Sequence, residues 1–331
     1  MKFIDNGGVT DPRLNLAIEE YALRELTGEP ELLLFYINEP SIIIGKNQNT
    51  AEEINAPYVE KHGIHVVRRL SGGGAVYHDE GNLNFSFITN DDGQSFHNYK
   101  KFTEPVVRAL RELGVDAELT GRNDIQVGGR KISGNAQYAA KGRMFSHGTL
   151  LFNSDLDRVS QALKVKADKI ESKGIKSVRS RVANIAEFLR EPMTIGEFRT
   201  HLLRSIFRGR DPVPEYRLTD EDWKRIEAIA DSRYRKWEWN FGRSPEASVV
   251  KSRRFEGVGS VELHLDLMHG TIRGLRIFGD FFGKGDVAEL ERAFTGLPLR
   301  RDALEKAAGT IRIADYIGNL DASDFVDLLL S

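Results

Sequence analysis

Cysteine is absent from the 331 residues. That excludes disulfides, thiolate metal sites and any reaction that holds its intermediate on a cysteine sulfur. It also suits a reducing compartment, so a cytoplasmic location is expected. Long apolar runs are missing as well. The longest, Leu32–Ile37 and Ile42–Ile44, are strand-sized, far short of the roughly 20 residues that cross a bilayer. Met1–Gly8 lacks the apolar stretch of a secretory signal. A soluble chain without a membrane partner follows as the expectation. An excess of either charge is lacking too: 47 Lys and Arg stand against 49 Asp and Glu, a net charge of -2. No global attraction to nucleic acid or anionic lipid results, and any basic site must be local.

What is present describes a globular protein of two domains. The length exceeds the ~100–200 residues usual for one, and 40% hydrophobic residues with 29% charged can fill and solvate such a core. Asp11-Pro12 starts a helix, with Leu14, Ala17, Ile18, Tyr21 and Ala22 at helical spacing up to Leu26. Strands are expected at Glu31–Ile37, Ser41–Gly45, His65–Arg69, Ala75–His78, Leu83–Thr89, Ile125–Val127, Arg130–Ser133 and Ser146–Phe152. Helices are expected at Phe102–Leu113, Leu156–Leu163, Ile195–Phe207 and Glu221–Arg233. The pattern changes across Trp237–Ser252, which gives two domains, 1–245 and 246–331. The second holds strand-like runs at Gly259–Leu267 and Thr271–Phe278 and helical ones at Val287–Phe294 and Asp324–Leu330. The fold class is α/β in the α+β sense, with mixed, largely antiparallel sheets and flanking helices.

Two segments carry chemistry. The first is Arg68-Arg69-Leu70-Ser71-Gly72-Gly73-Gly74-Ala75-Val76-Tyr77-His78-Asp79. Three glycines let a ligand approach the backbone amides, which together form an anion-binding concavity. Arg69 adds a two-pronged grip on phosphate oxygens. The loop leads from strand to strand, so it is neither a P-loop nor a dinucleotide fingerprint, both of which open a helix. A bare triple glycine is better explained by a sharp turn; the flanking Arg68-Arg69 and Tyr77-His78-Asp79 reverse that preference in favour of phosphate. His78 alone reads as a structural histidine.

The second segment is Asp124-Ile125-Gln126-Val127-Gly128-Gly129-Arg130-Lys131-Ile132-Ser133-Gly134-Asn135. Gly128-Gly129 makes a two-residue hairpin turn. Strict alternation puts Lys131 and Ser133 on one face of its second strand. Asp124 would face the same region, where it could ligate Mg²⁺ or orient the lysine. If a carboxylate is adenylated, carboxylate and α-phosphate repel each other, and a fixed ammonium answers that need. The bland reading of any single lysine is a solvated surface charge.

At these residues the chain resembles the lipoate–protein ligases, within the biotin/lipoate-ligase superfamily. Asn15–Glu20, Ile44–Asn49, Gly81–Asn84, Gly121–Asp124, His147–Leu151 and Ser172–Val182 extend the similarity over nearly the whole length. The resemblance implies a ligase catalytic domain with a small accessory domain, activating lipoate with ATP and Mg²⁺ to lipoyl-AMP. It implies transfer of the lipoyl group to a lysine of E2 subunits of 2-oxo-acid dehydrogenases or of the glycine-cleavage H protein. It makes Lys131 the catalytic lysine touching lipoate and adenylate phosphate. Arg69, Gly74, Ala75, Val76, Tyr77 and Asp124 become nucleotide-contacting positions, with Asp124 also the Mg²⁺ candidate. Gly73, His147 and Gly148 become lipoate-lining positions, and Asn123 a further neighbour. The basic Ser172–Val182 loop either closes over the adenylate or is simply exposed.

Rivals remain. An octanoyl or lipoyl transferase of the same superfamily works without ATP but needs a cysteine. Biotin ligases carry a Gly-Arg-Gly-Arg type of phosphate loop, and a non-catalytic binder would not need Lys131. Tyr234–Trp239 mixes aromatic and basic residues as single-strand nucleic-acid sites do; with near-zero net charge, packing of the linker explains it better and no nucleic-acid partner is expected.

Overall fold

The computed structural model describes residues 1–121, 123–164, 181–241, 249–268 and 270–331. They form two compact units: Met1–Ile43, Glu53–Arg68 and Val76–Asn240 in the first, and Ile44–Glu52, Arg69–Ala75 and Phe241–Ser331 in the second. The boundary expected between 245 and 246 lies outside the described residues.

Strands of the first unit are β1 (Lys2–Asp5), β2 (Glu31–Ile37), β3 (Ser41–Ile44), β4 (His65–Arg68), β5 (Val76–His78), β6 (Asn82–Asn90), β7 (Glu118–Thr120), β8 (Asp124–Val127), β9 (Arg130–Ala140), β10 (Arg143–Leu151) and β11 (Glu215–Tyr216). Among the described residues eight of them make one sheet in the order β11-β1-β2-β6-β10-β9-β8-β7, and β4-β3-β5 make a small second one. The large sheet is parallel only where β1 meets β11 and β2, so the mixed, largely antiparallel α+β fold read from the sequence is what the chain adopts.

Helix α1 (Pro12–Arg24) begins as its residues dictate: the Asp11 carboxylate accepts from the Arg13 amide, and proline occupies the first turn. Most of α1 is buried, including Asn15, Glu19 and Glu20. Each polar group is satisfied locally: Asn15 bonds Asn6, Asn38 and the Val9 carbonyl, while Glu20 takes Arg24, Arg233 and the Tyr234 hydroxyl. The helices Tyr99–Glu112 and Ile195–Ile206 contribute Phe102, Val106, Leu110, Phe198 and Leu202 to a core with Leu83, Phe85 and Phe87 of β6.

The Tyr234–Trp239 segment is an anchor. Trp239 donates its indole N–H to the Arg68 carbonyl at 2.7 Å, and the Arg68 guanidinium returns bonds to the carbonyls of Trp239 and Asn240. Arg68, the neighbour of Arg69 in sequence, is 1% exposed and serves this packing.

The second unit is an antiparallel sheet of β12 (Val249–Phe255), β13 (Gly259–Met268) and β14 (Thr271–Gly279). Helices Val287–Phe294, Arg301–Ala308 and Ala322–Leu330 bury Leu290, Phe294, Leu304 and Phe325 against Leu263, Leu265 and Ile277. The β12 strand and the Arg301–Ala308 helix were not legible in the sequence: β12 carries Lys251, Arg253 and Arg254 on a half-exposed edge, and only Leu304 and Ala308 of the helix are buried.

The Ile195–Ile206 helix carries a capping box in which Thr194 and Glu197 bond each other's backbone. The Thr194 backbone N–H, and then its hydroxyl, hold the Glu197 carboxyl below its ordinary pKa. A lowered folded value contributes stability above the ordinary carboxylate range, lost as pH falls through that lowered value. Glu197→Gln should therefore lower denaturant stability at neutral pH and lose less than the parent on acidification. An equal deficit at both pH values would show that the charge plays no part.

Candidate functional site

Lys131 lies where strict alternation fails. β8 and β9 pair Asp124 with Gly134, Ile125 with Ser133 and Gln126 with Lys131, and the register shifts between Ile125 and Gln126. One extra residue, Ile132, is thus accommodated on β9, and its side chain enters the core. The bulge corrects the expected facing: Lys131 does not share a face with Ser133. Its ammonium lies over Gly134, 2.9 Å from where a Cβ there would be, whereas Ser133 is fully buried and bonded by Asn135. Re-aiming a side chain is a common effect of a bulge.

On its new face Lys131 meets Asp124, with Nζ 2.8 Å from Oδ1 and both side chains about one-third exposed. The strand beneath is pinned. The Lys131 carbonyl accepts from the Ala183 amide at 2.9 Å, and Val182 forms a parallel bridge with Lys131. Of the basic Ser172–Val182 loop only Arg181 and Val182 are described; the remainder lies outside the described residues. Asn123 bonds the Asn135 backbone, and Asn135 returns a bond to the Asn123 carbonyl at 3.0 Å.

Along the neighbouring strand β10, His147 is buried, with Nδ1 2.9 Å from the Glu19 carboxylate. Glu19 was not singled out in the sequence, although the signal is there: Leu16, Glu19, Glu20 and Leu23 sit at helical spacing, so both carboxylates fall on a buried stripe. Gly148 is required by packing, because a Cβ would come within 2.2 Å of Asn135 Oδ1 and 2.6 Å of the Phe85 ring. Tyr77 is 4% exposed; burial raises its hydroxyl pKa, opposed by Arg158. It therefore stays protonated and available as a donor. His78 is buried beside Asn38, with Nδ1 2.9 Å from Nδ2, as a structural histidine would be.

Arg69 to Ala75 belong to the second unit. There the loop is shaped by its own arginine: Arg69 donates to Ser71 Oγ at 3.0 Å and to the carbonyls of Gly72 and Gly74 at 2.7 and 2.9 Å. Gly73 has φ +91° and donates to the Phe281 carbonyl. Gly45 has no room for a side chain, since a Cβ would lie 1.8 Å from the Gly73 oxygen. Gly74 differs: no neighbouring atom is within 4 Å of a Cβ there. So Gly45 and Gly73 are demanded by the fold, and Gly74 leaves open space. In the same unit Glu52, Glu262 and His264 bring ligand-type atoms within 4.8 Å of one another, and His264 Nε2 is 2.6 Å from Glu262 Oε1.

Lys131, Asp124, Asn123, His147, Gly148, Val76 and Tyr77 belong to the first unit, and Arg69, Gly73, Gly74 and Ala75 to the second; Lys131 and Asp124 are in direct contact.

Residues 11–207 match the lipoyl protein ligase A/B catalytic domain family, and residues 244–329 match the bacterial lipoate protein ligase C-terminus. The lipoate-protein ligase LplJ of Bacillus subtilis is 61% identical over 331 residues, covering 99% of this chain and 100% of that protein. A bi-partite lipoate protein ligase from Thermoplasma acidophilum, described with its E2 lipoyl domain, superimposes with a TM-score of 0.65 at 34% identity, over 75% of this chain and 98% of that one. A lipoate-protein ligase A bound with ATP gives 0.62 at 33% identity, over 73% of this chain and 98% of that one. With a catalytic and a C-terminal family pattern both present, and a relative alike from end to end, the chain belongs to the lipoate–protein ligase family.

Proposed function

We propose that this chain is an ATP-dependent lipoate–protein ligase acting in two steps. In the first, the lipoate carboxylate attacks the α-phosphorus of ATP, the bond to the β-phosphate oxygen breaks, and lipoyl-AMP and pyrophosphate result. In the second, the ε-amine of an acceptor lysine attacks the acyl carbon; an amide forms, AMP leaves and the amine's proton is released. The observation that carries this reading is the ammonium of Lys131, held by Asp124 and still one-third exposed. It can meet two anions whose approach would otherwise be repulsive. The names of the relatives support lipoate as the acid, and the ATP-bound ligase supports ATP as the activator. The ATP-free transferase is disfavoured because no cysteine is available to carry a thioester.

In this proposal Lys131 contacts the acyl carbonyl and the α-phosphate. Arg69, Gly74, Ala75, Val76 and Tyr77 hold the nucleotide, the Tyr77 hydroxyl as a donor. Gly73, His147 and Gly148 line the lipoate, with Glu19 fixing the imidazole. Acceptors are lipoyl domains of E2 subunits, in line with the domain described beside the Thermoplasma ligase, and the glycine-cleavage H protein. The setting is the cytoplasm, where such acceptors and ATP are met; no described helix is long and apolar enough to cross a membrane. Magnesium would reach the reaction on the nucleotide's own phosphates and supply charge neutralisation there. The one carboxylate proposed for it, Asp124, is engaged by Lys131 at 2.8 Å, which fits an orienting role better than a metal ligand.

Mass spectrometry of an acceptor domain incubated with the chain, lipoate, ATP and Mg²⁺ should show the mass of one lipoyl group, and nothing when ATP is omitted. Lys131→Ala should abolish adenylate formation; normal turnover would refute the lysine's role. Gly74→Val, placed in open space, should leave thermal stability unchanged yet weaken ATP binding by ~1–3 kcal/mol per backbone hydrogen bond lost. Unchanged ATP affinity would make the loop purely structural.

A further inference from the structure

Lysine brings three N–H donors on a flexible four-carbon stem. A reaction that needs its ammonium at one point between two anions must restrict that freedom. Two neighbours of Lys131 do so. Asp124 Oδ1 stands 2.8 Å from Nζ on the adjacent strand. Gly134, paired directly across from Asp124, leaves the space into which the stem folds: a Cβ would lie 2.9 Å from Nζ and 3.1 Å from Cε. The platform itself is tied on three sides. Gly134 N–H donates to Thr149 Oγ1 at 3.2 Å, Asn135 N–H to the Asn123 carbonyl at 3.0 Å, and Ala183 N–H to the Lys131 carbonyl at 2.9 Å.

We infer that Asp124 is a positioning residue that takes one of the three Lys131 donors and aims the other two, and that Gly134 is the clearance that makes this pose possible. This rests on the ligase reading and deepens it. One donor spent on Asp124 leaves two, the number needed for one carboxylate oxygen and one phosphate oxygen. Because Asp124 acts through Lys131, removing it should matter only while Lys131 is present.

The test is a cycle of the parent chain, Asp124→Asn, Asp124→Ala, Lys131→Ala and the double variant Asp124→Ala with Lys131→Ala. Adenylate formation is followed by pyrophosphate release, and lipoate and ATP affinities by calorimetry. Asp124→Ala should lower kcat roughly ten- to hundredfold, the loss of one charge-assisted hydrogen bond, with KM for ATP and the Mg²⁺ requirement unchanged. The isosteric Asp124→Asn, which keeps an acceptor oxygen, should recover part of that loss. In the Lys131→Ala background Asp124→Ala should change neither affinity further. Gly134→Ala should reproduce the kcat defect with Asp124 in place. Restoration of the Asp124 variants by excess Mg²⁺, or a further loss of lipoate or ATP affinity when Asp124→Ala is added to Lys131→Ala, would overturn the inference and make Asp124 a metal or nucleotide ligand. A Lys131→Ala chain as active as the parent would instead sink the ligase reading itself.

Discussion

The ion pair between Lys131 and Asp124 is the contact on which the proposed chemistry depends, and its worth is geometric. Both side chains are about one-third exposed, and ion pairs in such settings contribute only ~0–1 kcal/mol to stability once screening and side-chain entropy are counted. The fold does not need that pair. Its value lies in fixing a positive charge at one place, on a strand tied by backbone bonds from the Ala183 amide to the Lys131 carbonyl and from the Asn135 amide to the Asn123 carbonyl. Preorganised charge of this sort lowers a barrier because it has no reorganisation left to do when the anions arrive.

The β9 bulge makes the arrangement possible and explains where sequence reading stops. Runs with strong patterns were legible: the Asp11-Pro12 start of α1, the apolar Glu31–Ile37 strand and the Gly128-Gly129 turn all occur as read. The side on which Lys131 projects was not, because alternation assumes an unbroken ladder, and a bulge depends on how Ile132 packs in three dimensions. The structural role of Arg68 is not legible for a related reason. Its partners, Trp239 and Asn240, lie more than 170 positions away, and no local pattern announces such a bond. Glu19 shows the opposite case, a carboxylate on a buried stripe that the spacing displays once burial is asked about.

The triple-glycine segment was legible as a special backbone but not in its division of labour. Gly72 and Gly73 are closed in by the Phe281 carbonyl and the Phe282 ring, and Gly74 faces open space. The sequence presents three equal glycines; only the surroundings tell a steric requirement from an opening. Arg69 is similar. It belongs to the loop as expected, yet it bonds the loop's own carbonyls, so its charge also determines the shape of the cradle it borders.

The course of the chain has a further consequence. It passes between its two units after residues 43, 52, 68, 75 and 240, so neighbours such as Arg68 and Arg69 belong to different bodies. The Asn47 carbonyl and the Gly73 amide find their partners in Gly279 and Phe281, some two hundred residues downstream. A single scission near residue 240 would therefore not yield two self-sufficient modules: the upstream fragment would carry two orphaned stretches whose hydrogen-bonding counterparts had left with the other piece. Modularity in this protein is a property of space, not of the linear order of its codons.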